Sequence, residues 1–166
     1  FLHNITPKSK PLNDVKEAEG YRKAFYLMIE FKGQLSLKAV NKWHEMIFKE
    51  TIEHIAGKPR LHKIIVTGSR TSFPNPENVP KLLAEFFDWY RKNERKLNPV
   101  ELAALAHLKF VTIHPYSDGN GRISRLLANY VLMKHSYPML NIKFNDRMEY
   151  YKNLEASQIN GKPKYF

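Results

Sequence analysis

The sequence predicts a mainly α-helical single domain that carries one short β-hairpin. Its 166 residues are a normal size for one domain and are enough to bury a hydrophobic core. Apolar residues recur at helical spacing in several segments that begin with helix-capping residues, whereas one short segment has a strand-like composition. An apolar fraction of 43% and an aromatic fraction of 13% indicate a folded chain.

The chain is expected to begin with a loose arm followed by a first helix. Residues 1–12 contain two prolines and show no apolar periodicity, so we assign the folded domain to residues 13–166. Asn13 or Asp14 can cap a helix over about residues 15–31, which a glycine then ends. The first regular element is therefore predicted to start at the beginning of the domain.

Ser36 is the predicted cap of a second helix. Its apolar residues predict a buried stripe formed by Leu37, Val40, Ile47 and Phe48. Gly57 and Pro59 then break the helical pattern. Residues 64–67 (Ile-Ile-Val-Thr) have strand composition, and we predict a β-hairpin over about residues 58–68. An isolated hairpin is marginally stable, so this one is expected to rest on the helices.

Three further segments complete the predicted helical body. Helical periodicity resumes near Pro80, with an apolar stripe of Leu82, Leu83, Phe86 and Tyr90. Asn98 followed by Pro99 is a strong start signal for a helix that ends at His114. That helix also contains His107, which we expect to be structural or on the surface, because no second carboxylate or histidine completes a metal set. After a glycine turn, the next helix has the apolar stripe Ile123, Leu126, Leu127, Tyr130 and Val131.

Residues 114–125, with the sequence HPYSDGNGRISR, lie between two of these helices and carry the highest density of chemically active side chains. His114 precedes a proline, which disfavours the helical conformation and should leave the imidazole at a helix end, facing a site. Its ordinary pKa near neutrality suits a general base. Asp118 is a hard oxygen ligand on the turn, and one carboxylate together with substrate phosphates is a common way to hold Mg²⁺.

The second half of this segment is predicted to bind phosphate. Gly119, Asn120 and Gly121 form a turn that can direct several N–H groups into one concavity at the start of a helix, a common anion site. Arg122 and Arg125 are three residues apart on that helix and share a face. A base, a metal ligand, an anion-binding turn and paired arginines together predict binding of a metal–nucleotide and transfer of a phosphorus-containing group.

This segment resembles the signature of Fic domains, H-P-F-x-D/E-G-N-G-R-x-x-R, and departs from it at Tyr116, which replaces the usual phenylalanine. We expect this ring to face inward and its hydroxyl to need a partner. Residues 61–66 and 73–76 resemble the flap hairpin of the family and the proline-rich stretch after it. The first predicted helix and the helix that contains Tyr150 and Tyr151 also resemble the family, so the similarity covers nearly the whole chain.

The resemblance implies a single Fic-type helical domain with a flap over the active site, and AMP transfer as its activity. AMP would pass from ATP to a Ser, Thr or Tyr hydroxyl of a target protein, with Mg²⁺ as cofactor and pyrophosphate as the second product. In that scheme His114 deprotonates the incoming hydroxyl and Asp118 holds Mg²⁺ between the α- and β-phosphates. Gly119, Asn120 and Gly121 form the anion hole, with Asn120 at the α-phosphate.

The resemblance also assigns the remaining binding residues. Arg122 and Arg125 would hold the β- and γ-phosphates. Tyr150 and Tyr151 would contact the adenine, and a place in the hydrophobic core is the alternative for both. A separate hypothesis concerns residues 60–66: an exposed hairpin edge there would pair with a segment of the target protein and bring its hydroxyl close to His114. A hairpin with only a structural role is the alternative.

Two variations within the family bear on the reaction. The branch that phosphorylates its target has A-N-K where this chain has Gly119-Asn120-Gly121, so Gly121 favours AMP transfer. Many members carry a self-inhibitory S/T-x-x-x-E-G/N helix whose Glu pairs with the second motif arginine, here Arg125. This sequence has no such motif, and we expect the chain as given to be active. AMP removal, another nucleotidyl or phosphoryl transfer, and an inactive basic binding module are the alternatives.

Composition limits the partners. The net charge of +11 is spread along the chain without a nucleic-acid-binding motif, so we expect ATP and a protein target as partners. Nucleic acid would bind only through a segment outside this sequence, and a homodimer is left open. There is no cysteine and no apolar run close to 18 residues, so we expect a cytoplasmic location and no membrane partner. Because the chain begins with Phe1 rather than Met, we expect the native protein to be longer.

Overall fold

The computed structural model describes residues 10–161, and the regular structure in that range is helical. It consists of six α-helices and three short 3-10 helices, so the mainly helical fold class is confirmed. The chain divides into two compact units, Phe1–Pro59 and Arg60–Phe166. Among the described helices, none is long and apolar enough to cross a membrane.

The first unit contains two packed helices, α1 (Leu12–Glu30) and α2 (Leu37–Phe48), and the 3-10 helix Glu53–Ile55. The Ser36 side chain accepts a hydrogen bond from the Ala39 N–H at 3.4 Å, which confirms the predicted cap of α2. The two helices approach closely at Gly20 of α1. A Cβ atom there would lie 2.6 Å from the Ile47 carbonyl oxygen.

The predicted start of α1 is wrong by three residues. Pro11, with φ −53°, occupies the cap position in place of Asn13 or Asp14, because its fixed φ already suits the entry to a helix. Residues 1–9 of the predicted arm lie outside the described part of the chain.

The second unit contains four helices: α3 (Val79–Asn93), α4 (Pro99–Ile113), α5 (Asn120–Lys134) and α6 (Arg147–Asn160). Helix α4 packs against the other three, and most extensively against α5. The two remaining 3-10 helices, Pro76–Asn78 and Phe144–Asp146, lead into α3 and α6.

The position of α4 follows from its sequence. Asn98 caps the helix by accepting a hydrogen bond from the Val100 N–H at 2.9 Å, and Pro99 occupies the first turn, both as predicted. The buried residues of α4 occupy more than one face and are Leu102, Ala103, Ala106, His107, Leu108, Phe110, Val111 and Ile113. Its C-terminal end is therefore fixed by packing, and the predicted catalytic histidine, His114, lies directly after that end.

The predicted β-hairpin over residues 58–68 is wrong, since residues 10–161 contain no strand. A strand needs a partner that completes its hydrogen-bond ladder, and strand-forming side chains alone do not supply one. The Arg60 N–H instead donates to the Pro115 carbonyl at 2.8 Å, and the Ser69 N–H closes a turn onto Val66. Between these ends the chain is irregular, and the side chains of Leu61 and Ile65 are 91% and 90% exposed.

Candidate active site

A cavity of about 780 Å³ lies in the second unit, a volume that suits a small-molecule ligand. Every residue predicted for the site lines it: His114, Asp118, Gly119, Asn120, Gly121, Arg122, Arg125, Tyr150 and Tyr151. The structure thus brings together side chains from the end of α4, the following turn, the start of α5 and helix α6.

His114 ends α4 in an unusual backbone conformation. Its N–H still donates to the Phe110 carbonyl, but its φ of 51° and ψ of 59° lie in the left-handed region. That region is uncommon for residues other than glycine and persists where surrounding contacts hold it. The helix therefore ends at the predicted place, in a conformation that requires support from neighbouring groups.

The imidazole of His114 is oriented by two contacts. Its Nδ1 lies 3.1 Å from the Val111 carbonyl oxygen, and its ring packs against Phe73 with 4.2 Å between centroids. A carbonyl oxygen can only accept, so Nδ1 carries the proton and Nε2 carries the lone pair. The neutral ring can thus accept a proton at Nε2.

Burial keeps this imidazole neutral. It is the main cause that lowers the pKa of His114 to about 4, and the nearby charge of Arg60 acts in the same direction. The hydrogen bond to Val111 and the charge of Asp118 oppose the shift. At neutral pH the group is therefore present in the form that a general base requires.

The turn after His114 is held by side-chain to main-chain hydrogen bonds. Asn120 accepts from the Tyr116 N–H at 2.9 Å and donates from Nδ2 to the Tyr116 carbonyl at 2.8 Å. Both residues are buried, so the Asn120 side chain holds the loop. Asn120 would therefore contact a nucleotide through its main-chain N–H, which belongs to the first turn of α5. Burial raises the pKa of the Tyr116 phenol, which is fully enclosed as expected.

Gly119 and Asp118 shape the entrance of this turn. Gly119 caps α5 with φ 77°, a conformation that glycine adopts without strain. Asp118 accepts from the Gly119 N–H through Oδ1, and its Oδ2 lies 3.4 Å from Nη2 of Arg122. The Asp118 side chain is 58% exposed, so its carboxylate reaches the open cavity.

No cluster of three or more His, Cys, Asp or Glu side chains that could hold a metal ion occurs within residues 10–161. The exposed carboxylate of Asp118 would be a single protein ligand if a metal ion bound at this turn. That arrangement fits Mg²⁺, which keeps several waters and is commonly held by one or two carboxylates and substrate phosphates.

Arg125 and Tyr150 meet on the far side of the turn. The charge of Arg125, followed by its side-chain hydrogen bond to the phenol oxygen, opposes the rise in the pKa of Tyr150 that burial causes. The same phenol lies 2.9 Å from Nε2 of His107, which is 1% exposed and therefore belongs to the interior rather than to the surface. Burial lowers the pKa of His107 to about 3, so its ring is neutral and Nε2 can accept the phenol proton. Tyr150 thus connects α4, α5 and α6.

Tyr151 has a different environment from Tyr150. Tyr151 is 46% exposed, its ring lies 5.1 Å from the Tyr150 ring between centroids, and Arg147 approaches one face of the ring. This ring can therefore offer a surface to a ligand in the cavity.

Three residues near the site were missed in the sequence. Arg60 and Phe73 contact His114 from positions far away in the chain. Glu155 of α6 lines the cavity and accepts hydrogen bonds from the Arg70 N–H at 2.7 Å and the Ser69 hydroxyl at 3.0 Å. These hydrogen bonds, chiefly that from Arg70, lower the pKa of Glu155. Arg60 lies next to the strand-like run, and Phe73 begins the stretch 73–76 that resembles the family, but neither position indicated a contact with His114.

Comparison with known proteins identifies similar chains. A family model described as the Fic/DOC family matches residues 34–132. A protein from Nematostella vectensis named protein adenylyltransferase Fic is 35% identical over 131 residues, which cover 78% of this chain and 30% of that protein. This chain therefore spans less than a third of the length of that curated relative.

Two solved structures resemble the whole fold. A Fic domain containing signaling protein from Bacteroides thetaiotaomicron has a TM-score of 0.85 at 28% identity, over 99% of this chain and 66% of that chain. Fic-1 from C. elegans has a TM-score of 0.87 at 26% identity, over 98% of this chain and 49% of that chain. These similarities extend over α1 and α6, which lie outside the residues matched by the family model.

Proposed function

The chain belongs to the Fic/DOC family, and from this premise we propose that it transfers AMP from ATP to a hydroxyl side chain of a target protein. The observation that carries the proposal is the convergence of a neutral imidazole, an exposed carboxylate and the first turn of a helix on one cavity. The names of the similar proteins support the same activity.

In the proposed reaction His114 acts as the general base. Its Nε2 accepts the proton of the Ser, Thr or Tyr hydroxyl while the hydroxyl oxygen attacks the α-phosphorus of ATP. A bond forms between that oxygen and phosphorus, and the bond from the α-phosphorus to the bridging oxygen of the β-phosphate breaks. Pyrophosphate leaves with that oxygen, and the target protein retains AMP.

The phosphates would be held by the start of α5. Main-chain N–H groups of Asn120 and Gly121 face negative charge favourably because they lie at the positive end of the helix. Arg122 and Arg125 line the cavity and suit the β- and γ-phosphates. Asp118 would hold Mg²⁺, which neutralises charge on the phosphates when bound.

The adenine would lie towards α6. Tyr151 offers a half-exposed ring for stacking, and the Tyr150 ring lines the cavity beside it. The phenol of Tyr150 is engaged with Arg125 and His107, so Tyr150 would contact adenine through its ring.

The target protein would approach over residues 61–66, which we name the rim segment. Ile64, Ile65 and Val66 of this segment line the cavity together with His114. An exposed, irregular main chain can pair with an incoming extended peptide through its N–H and C=O groups. Such pairing would place the acceptor hydroxyl close to the imidazole with little demand on target sequence.

The proposal is tested with ATP labelled at the α-phosphate, incubated with the purified chain and a cell lysate. We expect label on protein that is lost with His114→Ala and retained with His54→Ala, since His54 is an exposed histidine outside the cavity. In a parallel reaction with ATP labelled at the γ-phosphate, label on protein that depends on His114 would indicate a kinase. Absence of any label dependent on His114 would contradict nucleotidyl transfer.

A further inference from the structure

The guanidinium of Arg60 is buried beside the catalytic turn and donates to three main-chain carbonyls. Its Nε lies 2.8 Å from the oxygen of His114, Nη1 lies 2.9 Å from that of His62, and Nη2 lies 2.7 Å from that of Pro74. The main-chain N–H of Arg60 also donates to Pro115 at 2.8 Å. One residue therefore contacts the catalytic turn and both ends of the segment 62–74.

This arrangement is costly for a cation. Arg60 is 3% exposed, and burial lowers its pKa. Its hydrogen-bond acceptors are neutral carbonyls, while the carboxylate of Glu77 acts on the charge without a hydrogen bond. A planar guanidinium with donors in a fixed fork can reach three separated carbonyls, which an ammonium cannot do with the same geometry.

We propose that Arg60 is a positioning residue for the transfer reaction, fixing the main chain of His114 and holding Phe73 against its imidazole. The hydrogen bond to the His114 carbonyl supports a left-handed conformation that a residue before proline does not adopt readily. The hydrogen bond to Pro74 fixes the residue after Phe73, whose ring packs on the imidazole. The proposal rests on the proposed function, because the reaction defines what the imidazole must reach.

The consequence is that Nε2 of His114 has one orientation in the cavity. Without the hydrogen bonds of the Arg60 guanidinium, His114 can relax towards the extended conformation that is usual before proline. Its Nε2 then moves away from the acceptor hydroxyl. A displacement of about 1 Å in a reacting group can lower a rate about 100-fold. ATP would bind as before, since its proposed contacts lie on the turn, α5 and α6.

The test compares Arg60→Lys with Arg95→Lys, an exposed arginine on the surface of the same unit. For Arg60→Lys we expect kcat for AMP transfer to fall roughly 10- to 100-fold. The Kd for ADP should stay within about twofold of wild type, with full binding stoichiometry. Arg95→Lys should leave all these quantities unchanged. Partial unfolding would instead reduce the stoichiometry, and that result would overturn a positioning role.

A second measurement does not depend on activity. Nitrogen chemical shifts of His114 should report the Nδ1–H tautomer in wild type and a mixture of tautomers in Arg60→Lys. Arg60→Gln, a neutral variant that keeps one planar donor group, serves the same comparison if the lysine variant does not fold. Unchanged tautomer and kcat in a folded variant would overturn the proposal. If wild type transfers no label, the proposed function fails, while the tautomer still shows whether Arg60 orients His114.

Discussion

Tyr150 shows how one side chain can serve both the ligand and the scaffold. Its ring lines the cavity, whereas its phenol interacts with Arg125 and lies 2.9 Å from Nε2 of His107. The family resemblance implied a contact with adenine and gave no reason to expect the hydrogen bonds. Arg125 in turn lies close to the turn, with Nη1 3.4 Å from the position of a Cβ atom on Gly121. The phenol is therefore placed to orient a guanidinium that we assign to the phosphates.

Removal of this hydroxyl should weaken phosphate binding selectively. Tyr150→Phe keeps the ring but frees Arg125, so we expect ATP to bind about fivefold more weakly, since one hydrogen bond contributes about 1 kcal/mol. AMP, which lacks the β- and γ-phosphates, should bind as in wild type. Tyr151→Phe is the matched control, and its exposed phenol should be dispensable for both ligands. Equal weakening of ATP and AMP by Tyr150→Phe would contradict this role for the phenol.

At the level of elements, the features predicted correctly are those whose causes are local. Ser36 and Asn98 cap helices through hydrogen bonds to residues two or three positions later, so the sequence pattern contains all the necessary information. The rim segment was predicted as a hairpin because strand propensity is local while strand pairing is not. Arg60 was missed for the same reason, since it contacts His114 across 54 positions of sequence. Residue types predicted the site, and long-range contacts decide how each residue is used.

The exposed main chain of the rim segment leads to a testable prediction about how the target protein docks. Ile65→Pro removes one main-chain N–H and fixes φ, so pairing with a target peptide should be impaired and protein labelling should fall about fivefold or more. Ile65→Ala keeps the N–H and should label protein at a rate closer to that of wild type. ADP affinity, measured by calorimetry, should be unchanged in both variants. Equal losses in the two variants would show that the side chain, rather than the main chain, contacts the target.

Two histidines whose pKa is lowered by burial should link the stability of the chain to pH. Burial lowers the pKa of His107 to about 3 and that of His114 to about 4, whereas both should titrate near 6.5 in the unfolded chain. Between these values the unfolded state binds more protons than the folded state. The free energy of unfolding therefore rises with pH in this window and falls as pH decreases from about 6.5.

This dependence can be measured by urea unfolding between pH 7 and 5, where exposed carboxylates remain largely ionised in both states. Each histidine contributes at most about 1.4 kcal/mol per pH unit, so the two together should give a clear decline on acidification. His107→Gln removes one titrating group while leaving an amide oxygen that can accept from Tyr150, and should reduce the slope. His54→Gln, at an exposed position, should leave the slope unchanged. If the slope in His107→Gln matched that of wild type, His107 would have to be protonated in the folded chain, and its hydrogen bond from Tyr150 would have the opposite direction.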